Sequence, residues 1–192
     1  MTNARSDWEQ RFQSLSIEGR AFIDGQYRPA LSGATFECIS PVDGRLLANV
    51  ASTDEADANA AVLVARQAFE SGVWCKRAPA ERKRVLIRFA DLILANQEEL
   101  ALLETLDMGK PIRECLLTDL PETIECLEWH AELADKEYGA ISPSGDNALG
   151  LIVKEPVGVV ACVLPWNFPL MMVGWKLGPA LVEGNSVILK PA

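Results

Sequence analysis

An asparagine flanked by two prolines is the first place in this sequence where residue types and spacing could do chemistry. Asn167 lies midway between Pro165 and Pro169, and each proline fixes its own φ and restricts the residue before it, so the loop has few conformations. An amide NH2 held in one position can donate to an oxygen that becomes negative in a transition state. From the loop alone, the commoner use of such an asparagine is favoured, namely capping the next helix or closing its own turn.

A thiol and an ammonium group lie close to this loop in the sequence. Cys162 is inside the apolar run before the loop, where burial would raise the pKa of its thiol, so we interpret it as a small buried side chain. Lys190 ends a second apolar run. A cation there can donate to ribose hydroxyls or bind a 2′-phosphate, although an ordinary exposed lysine is the other interpretation.

The two apolar runs predict the elements that must hold these groups. Residues 159–164 and 186–190 are separated by an interval of helical length that ends at a Gly-Asn turn, which predicts strand, helix and strand. Strands that are apolar on both faces are typical of parallel sheets, whose crossovers usually contain a helix. Since ligands bind beyond the carboxyl ends of such strands, residues 164–168 and 190–192 are predicted to lie at a binding edge.

Composition and charge limit the classes of partner. The chain has 27 acidic and 18 basic residues among 192 and a net charge of -9, which argues against nucleic acid or an anionic membrane. Residues 1–13 are polar and lack the apolar core of a signal peptide, and no run is long enough to span a bilayer, so the cytoplasm is the default expectation. Five cysteines at irregular spacings suit neither disulfides nor a zinc cluster, and we predict no metal site.

Upstream of the loop, the pattern predicts an amino-terminal amphipathic helix, two hairpins and a layer of helices. Asp24-Gly25 and residues 41–44 are turn sequences between short strands. Helices are predicted to begin at a capping box of Ser52 with Glu55, at Pro79, at Asn96 as N-cap, and near Thr118, which would place Pro121 in a first turn. The helix from Pro79 buries Leu86, Ala90 and Ile93 and exposes Arg82, Lys83, Arg84 and Arg88; the helix from Ser52 carries Val62, Ala65 and Phe69 on one face; and His130 is a partly buried structural residue.

Several motifs in order resemble the NAD(P)-dependent aldehyde dehydrogenase superfamily. The most specific is Pro165-Trp166-Asn167-Phe168-Pro169. The others are residues 22–25, 40–44, 103–107 with 109–111, 155–159, 175–181, 184–185 and 189–192. The resemblance covers nearly the whole chain, is most similar to the aminoaldehyde and γ-glutamyl-γ-aminobutyraldehyde branch, and reverses our interpretation of Asn167, which matches the oxyanion asparagine of that family.

This resemblance implies an α/β fold with a Rossmann-like, parallel-sheet cofactor domain that is incomplete in this chain. Residues 1–140 would be the amino-terminal part of that domain, with hairpins and a helical layer. Residues 141–156 would start a β arm used for oligomerisation, and residues 157–192 would be the first βαβ unit. The catalytic domain would be absent, so the nucleophilic cysteine and the general-base glutamate would lie beyond Ala192.

The resemblance also implies roles for individual residues. Val163, Leu164, Pro165, Trp166 and Lys190 would bind NAD, with NADP not excluded. Asp119, Phe168, Met172 and Trp175 would line the aldehyde tunnel, where Asp119 and Glu122 could attract a cationic aldehyde or be ordinary helix-start acids. The expected partners are a small aldehyde and further copies of the chain, as a dimer or tetramer. A non-catalytic chain that binds nucleotide weakly or associates with a full-length partner remains the alternative.

Overall fold

The computed structural model of the protein describes residues 5–192, and the side chains from residue 7 onward. The part of the polar amino terminus that comprises residues 1–4 lies outside the described residues. A short helix, α1 (Arg5–Ser14), opens the described chain, as the sequence predicts. An ion pair of 2.7 Å between Arg11 and Glu98 links it to the helical layer described below.

Two antiparallel hairpins follow, as predicted. The first joins β1 (Ala21–Ile23) to β2 (Gln26–Arg28), and the second joins β3 (Thr35–Ile39) to β4 (Leu46–Ala51). The turn of the first hairpin has positive φ at both Asp24 and Gly25, 57° and 70°. Successive positive φ angles are what the tightest hairpin turns require, and Asp-Gly supplies them.

A layer of helices makes up the centre of the chain. Its members are α2 (Glu55–Ser71), α3 (Pro79–Ala95), α4 (Gln97–Met108), α5 (Ile112–Glu114) and α6 (Leu120–Leu133). Helix α6 packs against α3. The predicted stripe of Leu86, Ala90 and Ile93 is buried between these helices, where Leu127 and Ala131 of α6 complete the core. Apolar residues recurring at helical spacing therefore located this core correctly.

One predicted helix cap was wrong, and a second has the predicted position without the expected side-chain hydrogen bond. Helix α2 begins after Asp54, whose carboxylate accepts from the backbone N–H groups of Ala56 and Asp57 at 2.8 and 3.4 Å, so the capping box is Asp54 with Asp57 rather than Ser52 with Glu55. Asn96 is the N-cap residue of α4, as predicted, but its side chain accepts from no N–H group of that helix. Its Nδ2 instead donates to Leu92 O at 2.7 Å, at the end of α3. The Ser52 prediction therefore chose a residue of the right type two positions too early.

The helix predicted to begin near Thr118 is α6, which begins at Leu120, although the chain before it is already helical. Helix α5 continues through a π-helical turn, Cys115–Asp119, directly into α6. Pro121 lies in the first turn of α6, as predicted, where a helix tolerates proline. The turn buries Cys115 and Asp119 completely.

The basic cluster on α3 is only partly a solvated surface. Arg84 and Arg88 are exposed, as predicted. Arg82 donates from Nε to Val182 O at 2.9 Å, and Lys83 pairs with Glu132 at 2.7 Å. On α2, Ala65 is buried, whereas Val62 is 46% exposed and does not belong to the packed face.

The carboxyl-terminal part contains a hairpin and a βαβ unit. Strands β5 (Ala140–Ser142) and β6 (Gly150–Ile152) pair antiparallel around the predicted loop. Strands β7 (Val159–Val163) and β8 (Ser186–Lys190) pair in parallel across α7 (Pro169–Val182), which confirms the predicted crossover. Helix α7 packs closely on α6. Within residues 5–192, none of the helices has both the length and the apolar character needed to cross a bilayer.

Candidate active site

The carboxyl ends of β7 and β8 form one edge, and the predicted binding residues lie along it. Val163 is in register with Lys190, and the Leu164 N–H donates to Lys190 O at 3.0 Å. The Lys190 side chain is exposed and Val163 is 65% exposed. An ammonium group and an apolar side chain therefore lie next to each other on an open edge, which suits the ribose and base of a nucleotide.

The loop after β7 extends this surface. Pro165 is exposed and Trp166 is 70% exposed. Leu164, which the sequence assigned to the cofactor wall, is only 5% exposed. Its side chain is turned into the protein because neighbouring strand residues point to opposite faces. Leu164 can therefore contribute only backbone atoms to the binding edge.

Asn167 has an exposed side chain that is not used by the helix next to it. Helix α7 begins at Pro169, and its N-cap residue is Phe168, whose carbonyl accepts from the Met172 N–H at 2.9 Å. The interpretation of Asn167 as a helix cap is therefore wrong. Nowhere in the part of the chain that the structure describes does the Asn167 amide find a hydrogen-bond partner. Its amide is therefore exposed and engaged by no other group in this part of the chain.

A buried cluster of charged side chains lies directly behind this loop. Lys110 pairs with Asp119, and its Nζ lies 3.9 Å from the centroid of the Phe168 ring. The Leu170 N–H donates to Glu104 Oε1 at 3.4 Å. Glu104 is 4% exposed and Asp119 is fully buried. Burial raises the pKa of Glu104, which the hydrogen bond from Leu170 partly offsets.

The same cluster has a donor set that a metal could use. Glu104, Cys115 and Asp119 each bring one potential ligand atom to within 4.8 Å of the others. The Lys110 ammonium, however, already occupies the position of a counter-cation beside Asp119. Burial raises the pKa of Cys115 to about 11, so its thiol is protonated at neutral pH and is a poor metal ligand. We therefore assign the cluster no metal.

The structure offers no activated thiol among the cysteines with a shifted pKa. Burial raises the pKa of Cys126 and of Cys162, and burial together with Asp107 raises that of Cys38 to about 11. Cys162 is 4% exposed, as its position inside the apolar strand predicts. A nucleophilic cysteine needs a depressed pKa and access, so Cys162 does not fit that role.

The residues predicted to line an aldehyde tunnel are only partly brought together. Trp175 lines a shallow concavity of about 320 Å³ with Glu122, Glu125, Cys126 and Trp129. Phe168 and Met172 are half-buried and are not among the residues that line this concavity. Asp119 lies behind Lys110 rather than on this surface, so it is Glu122, which is exposed, that could face a cationic ligand.

Sequence reasoning gave no role to Glu104, Lys110 or Trp129. For Glu104 a signal existed, because a carboxylate three residues after the buried Ala101 lies on the apolar face of α4, where an ionised group needs a partner. Lys110 stands alone between Gly109 and Pro111, and nothing in its pattern distinguishes it from a surface lysine. Only the packing of α5, the π turn and α7 brings it to Phe168.

Comparison with known proteins gives consistent matches over almost the whole chain. A family model described as the aldehyde dehydrogenase family matches residues 27–192. Aminoacetaldehyde dehydrogenase from Pseudomonas aeruginosa is 53% identical over 189 residues, which cover 98% of this chain and 38% of that protein. The NADP/NAD-dependent aldehyde dehydrogenase PuuC from Escherichia coli is 50% identical over 185 residues, 96% of this chain and 37% of that protein.

A solved structure agrees with these relatives. Indole-3-acetaldehyde dehydrogenase in complex with NAD+ superposes with a TM-score of 0.98 at 61% identity, over 100% of this chain and 39% of that one. The described helices and strands therefore follow a fold already seen with a nicotinamide nucleotide bound. The chain spans somewhat more than a third of the length of the proteins that it matches.

Proposed function

Because the chain belongs to the aldehyde dehydrogenase family, we propose that it is the amino-terminal part of an enzyme that oxidises an aldehyde to the carboxylic acid with NAD or NADP. The observation that carries this proposal is Asn167. Its amide is exposed on a loop that starts and ends with proline, beside the edge where Val163 and Lys190 meet. A donor of this kind, held in place before the reaction, is what an oxyanion needs.

The role of Asn167 follows from where charge develops. When a thiolate attacks an aldehyde, the carbonyl oxygen becomes negative in the resulting thiohemiacetal, and an amide N–H placed there stabilises it. The Asn167 NH2 has no competing acceptor among residues 5–192, so it need not break a hydrogen bond to donate. Removal of one such donor costs about 10²- to 10³-fold in kcat in other enzymes.

We assign the cofactor to the open edge of β7 and β8. Lys190 would donate to the hydroxyls of the adenosine ribose, and Val163, Pro165 and Trp166 would form the apolar wall toward the nicotinamide. The bound nicotinamide supplies the acceptor for the hydride that leaves the substrate carbon. The exposed ammonium at a strand end fits this group, and NAD is our first choice because a relative with 61% identity was solved with NAD+.

The nucleophile and the general base are assigned to residues outside 1–192. Cys162, the cysteine nearest the loop, is buried and its pKa is raised. The matched proteins are more than twice as long as this chain, which leaves room for a separate catalytic domain. That domain would supply the attacking thiolate and the glutamate that activates water for hydrolysis of the thioester.

For the substrate we propose an aldehyde that carries an amine. One of the two curated relatives above is named aminoacetaldehyde dehydrogenase. In this chain, the carboxylates of Glu122 and Glu125 lie with the indoles of Trp129 and Trp175 around one concavity. Carboxylates attract an ammonium group and aromatic faces bind it.

The substrate class is tested by comparing kcat/KM for an ω-aminoaldehyde and for the alkyl aldehyde of equal length. Glu122→Gln should reduce the preference for the aminoaldehyde about 5- to 20-fold, because it removes one attractive charge without changing size. Glu128→Gln, on the same helix but outside the concavity, is the control. An unchanged preference in Glu122→Gln would exclude this role.

We also propose that the β5–β6 hairpin contacts a second subunit and that the protein works in the cytoplasm. The hairpin and the residues after it expose a set of large apolar side chains: Ile141, Leu149, Leu151, Ile152 and Val153. Such a patch is unusual on a monomer. Light scattering should therefore give the mass of two or more chains for the wild type and the mass of one chain for Leu151→Asp. The cytoplasmic location is a separate proposal, and cell fractionation tests it.

The oxyanion role is tested with Asn167→Ala in the complete natural protein. We expect kcat to fall about 10²- to 10³-fold, while the Kd for NAD, measured by quenching of tryptophan fluorescence, changes less than about threefold because Lys190 is untouched. Asn59→Ala, which changes an exposed asparagine of α2, is the matched control and should be neutral. A kcat within about threefold of the wild type for Asn167→Ala would refute the proposal.

A further inference from the structure

The first turn of α7 cannot satisfy its own backbone. The first four N–H groups of a helix have no partner within it. Pro169, the first residue of α7, has no N–H, and the N-cap residue Phe168 has no side-chain oxygen to accept one. The Leu170 N–H is instead accepted by Glu104, which comes from α4, 66 residues earlier in the chain.

A second contact holds the residue before that turn. The Lys110 ammonium lies 3.9 Å from the centroid of the Phe168 ring, close enough for a cation–π interaction. Asp119 from the π turn pairs with the same ammonium group and fixes its position. Phe168 directly follows Asn167, so two buried contacts from distant elements fix the chain immediately after the oxyanion donor.

We propose that Glu104, Lys110 and Asp119 form a buried support that sets the position of the Asn167 loop, and that they are positioning residues for the reaction proposed above, on which this inference rests. None of them has to touch substrate or cofactor. Glu104 acts through the Leu170 N–H of α7, and Lys110, held by Asp119, acts through the Phe168 ring of the loop.

The charges of this support do not balance when both of its carboxylates are ionised. Glu104 Oε2 and Asp119 Oδ1 are buried without a hydrogen-bond partner among the described residues. Two carboxylates face one ammonium group, so one negative charge is left in excess, and a proton on Glu104 would remove it. A glutamine at this position would keep the acceptor for Leu170 and offer an N–H to Asp119 Oδ1. The support therefore depends on shape and hydrogen bonds rather than on the charge of Glu104.

The experiment compares Glu104→Gln and Glu104→Leu in the complete natural protein. The first readout is amide hydrogen exchange of the segment 165–172, which needs no enzymatic activity. In Glu104→Leu we expect this segment to exchange at least about 10-fold faster. We also expect kcat to fall about 10- to 100-fold with KM for the aldehyde within about threefold, since misplacing a catalytic group affects the transition state most. Glu104→Gln should stay within about threefold of the wild type in both.

A matched control separates positioning from general destabilisation. Leu102→Ala removes a buried side chain from the same helix and should lower the melting temperature without changing exchange at 165–172 or kcat. Lys110→Met, which keeps an unbranched side chain beside Phe168, replaces Glu104→Leu if that variant does not fold, and should show the same faster exchange.

Two results would overturn the inference. One is exchange at 165–172 that is unchanged in both Glu104→Leu and Lys110→Met. The other is a loss of kcat in Leu102→Ala as large as in Glu104→Leu. If the wild type oxidised no aldehyde, the proposed function would fail, while the exchange measurements would still decide whether the support exists.

Discussion

Replacing Gly174 with alanine tests how closely α6 and α7 must approach. A Cβ built at Gly174 would lie 3.0 Å from the backbone oxygen of Thr123 and 3.4 Å from its Cα and Cγ2. The oxygen belongs to the backbone of α6 and cannot rotate away as a side chain could. Since Thr123 is fully buried, the two helices would have to separate by a few tenths of an ångström.

Two opposing effects decide whether Gly174→Ala raises or lowers the free energy of unfolding. Alanine is favoured over glycine inside a helix by about 0.5–1 kcal/mol. Insertion of a methyl group into a closely packed contact costs about 1–3 kcal/mol. The cost of the close contact should exceed the gain in helix propensity. Gly174→Ala should therefore lower the free energy of unfolding by about 1 kcal/mol and the melting temperature by roughly 2–4 °C. Valine at this position should cost more, because it adds two further methyl groups.

The assay is chemical denaturation and calorimetry of the natural protein, with Gly145→Ala as control. A Cβ at Gly145 would meet no atom within 4 Å, and its φ is not in the positive range. That variant should therefore be neutral or stabilising by up to about 1 kcal/mol. If Gly174→Ala were as stable as Gly145→Ala, the close packing of α6 on α7 would not constrain the position of α7, and the reasoning would be refuted.

Two further predictions concern the start of α2 and the buried thiols. Asp54→Ala should destabilise the protein by about 1 kcal/mol, since it removes the acceptor for two N–H groups of α2, whereas Ser52→Ala should be silent in the same denaturation assay; equal effects would mean that the helix begins elsewhere. Cys38 and Cys115 have pKa values raised to about 11, so the unfolded chain, with ordinary thiols, loses their protons first. Their stabilising contribution should be complete below about pH 8.5 and lost between about pH 8.5 and 11. Cys38→Ser with Cys115→Ser should flatten that alkaline decline, and a decline of unchanged steepness would contradict the assignment.

Much of the fold could be predicted from local patterns. The apolar run ending at Val163, the helical interval and the run ending at Lys190 predicted a parallel βαβ unit, because a buried strand and its crossover have distinct periods and lengths. The Asp24-Gly25 turn and the stripe containing Leu86 and Ala90 were equally local signals. Helix boundaries were less well predicted. At Ser52 and Asp54, two residues of good capping type stood close together, and only the backbone conformation chose between them.

Some features of the candidate site could likewise be predicted from the sequence, and others could not. Residue type and spacing predicted the strand edge and the conformationally restricted loop, and the resemblance to a family predicted the role of Asn167. Only the tertiary structure showed that Leu164 is turned inward, that Asp119 is buried beneath Lys110, and that Glu104 accepts from the first turn of α7. The physical reason is that spacing along the chain fixes which residues share a helix or strand. The partner of a buried charge comes from another element, and packing alone decides which one.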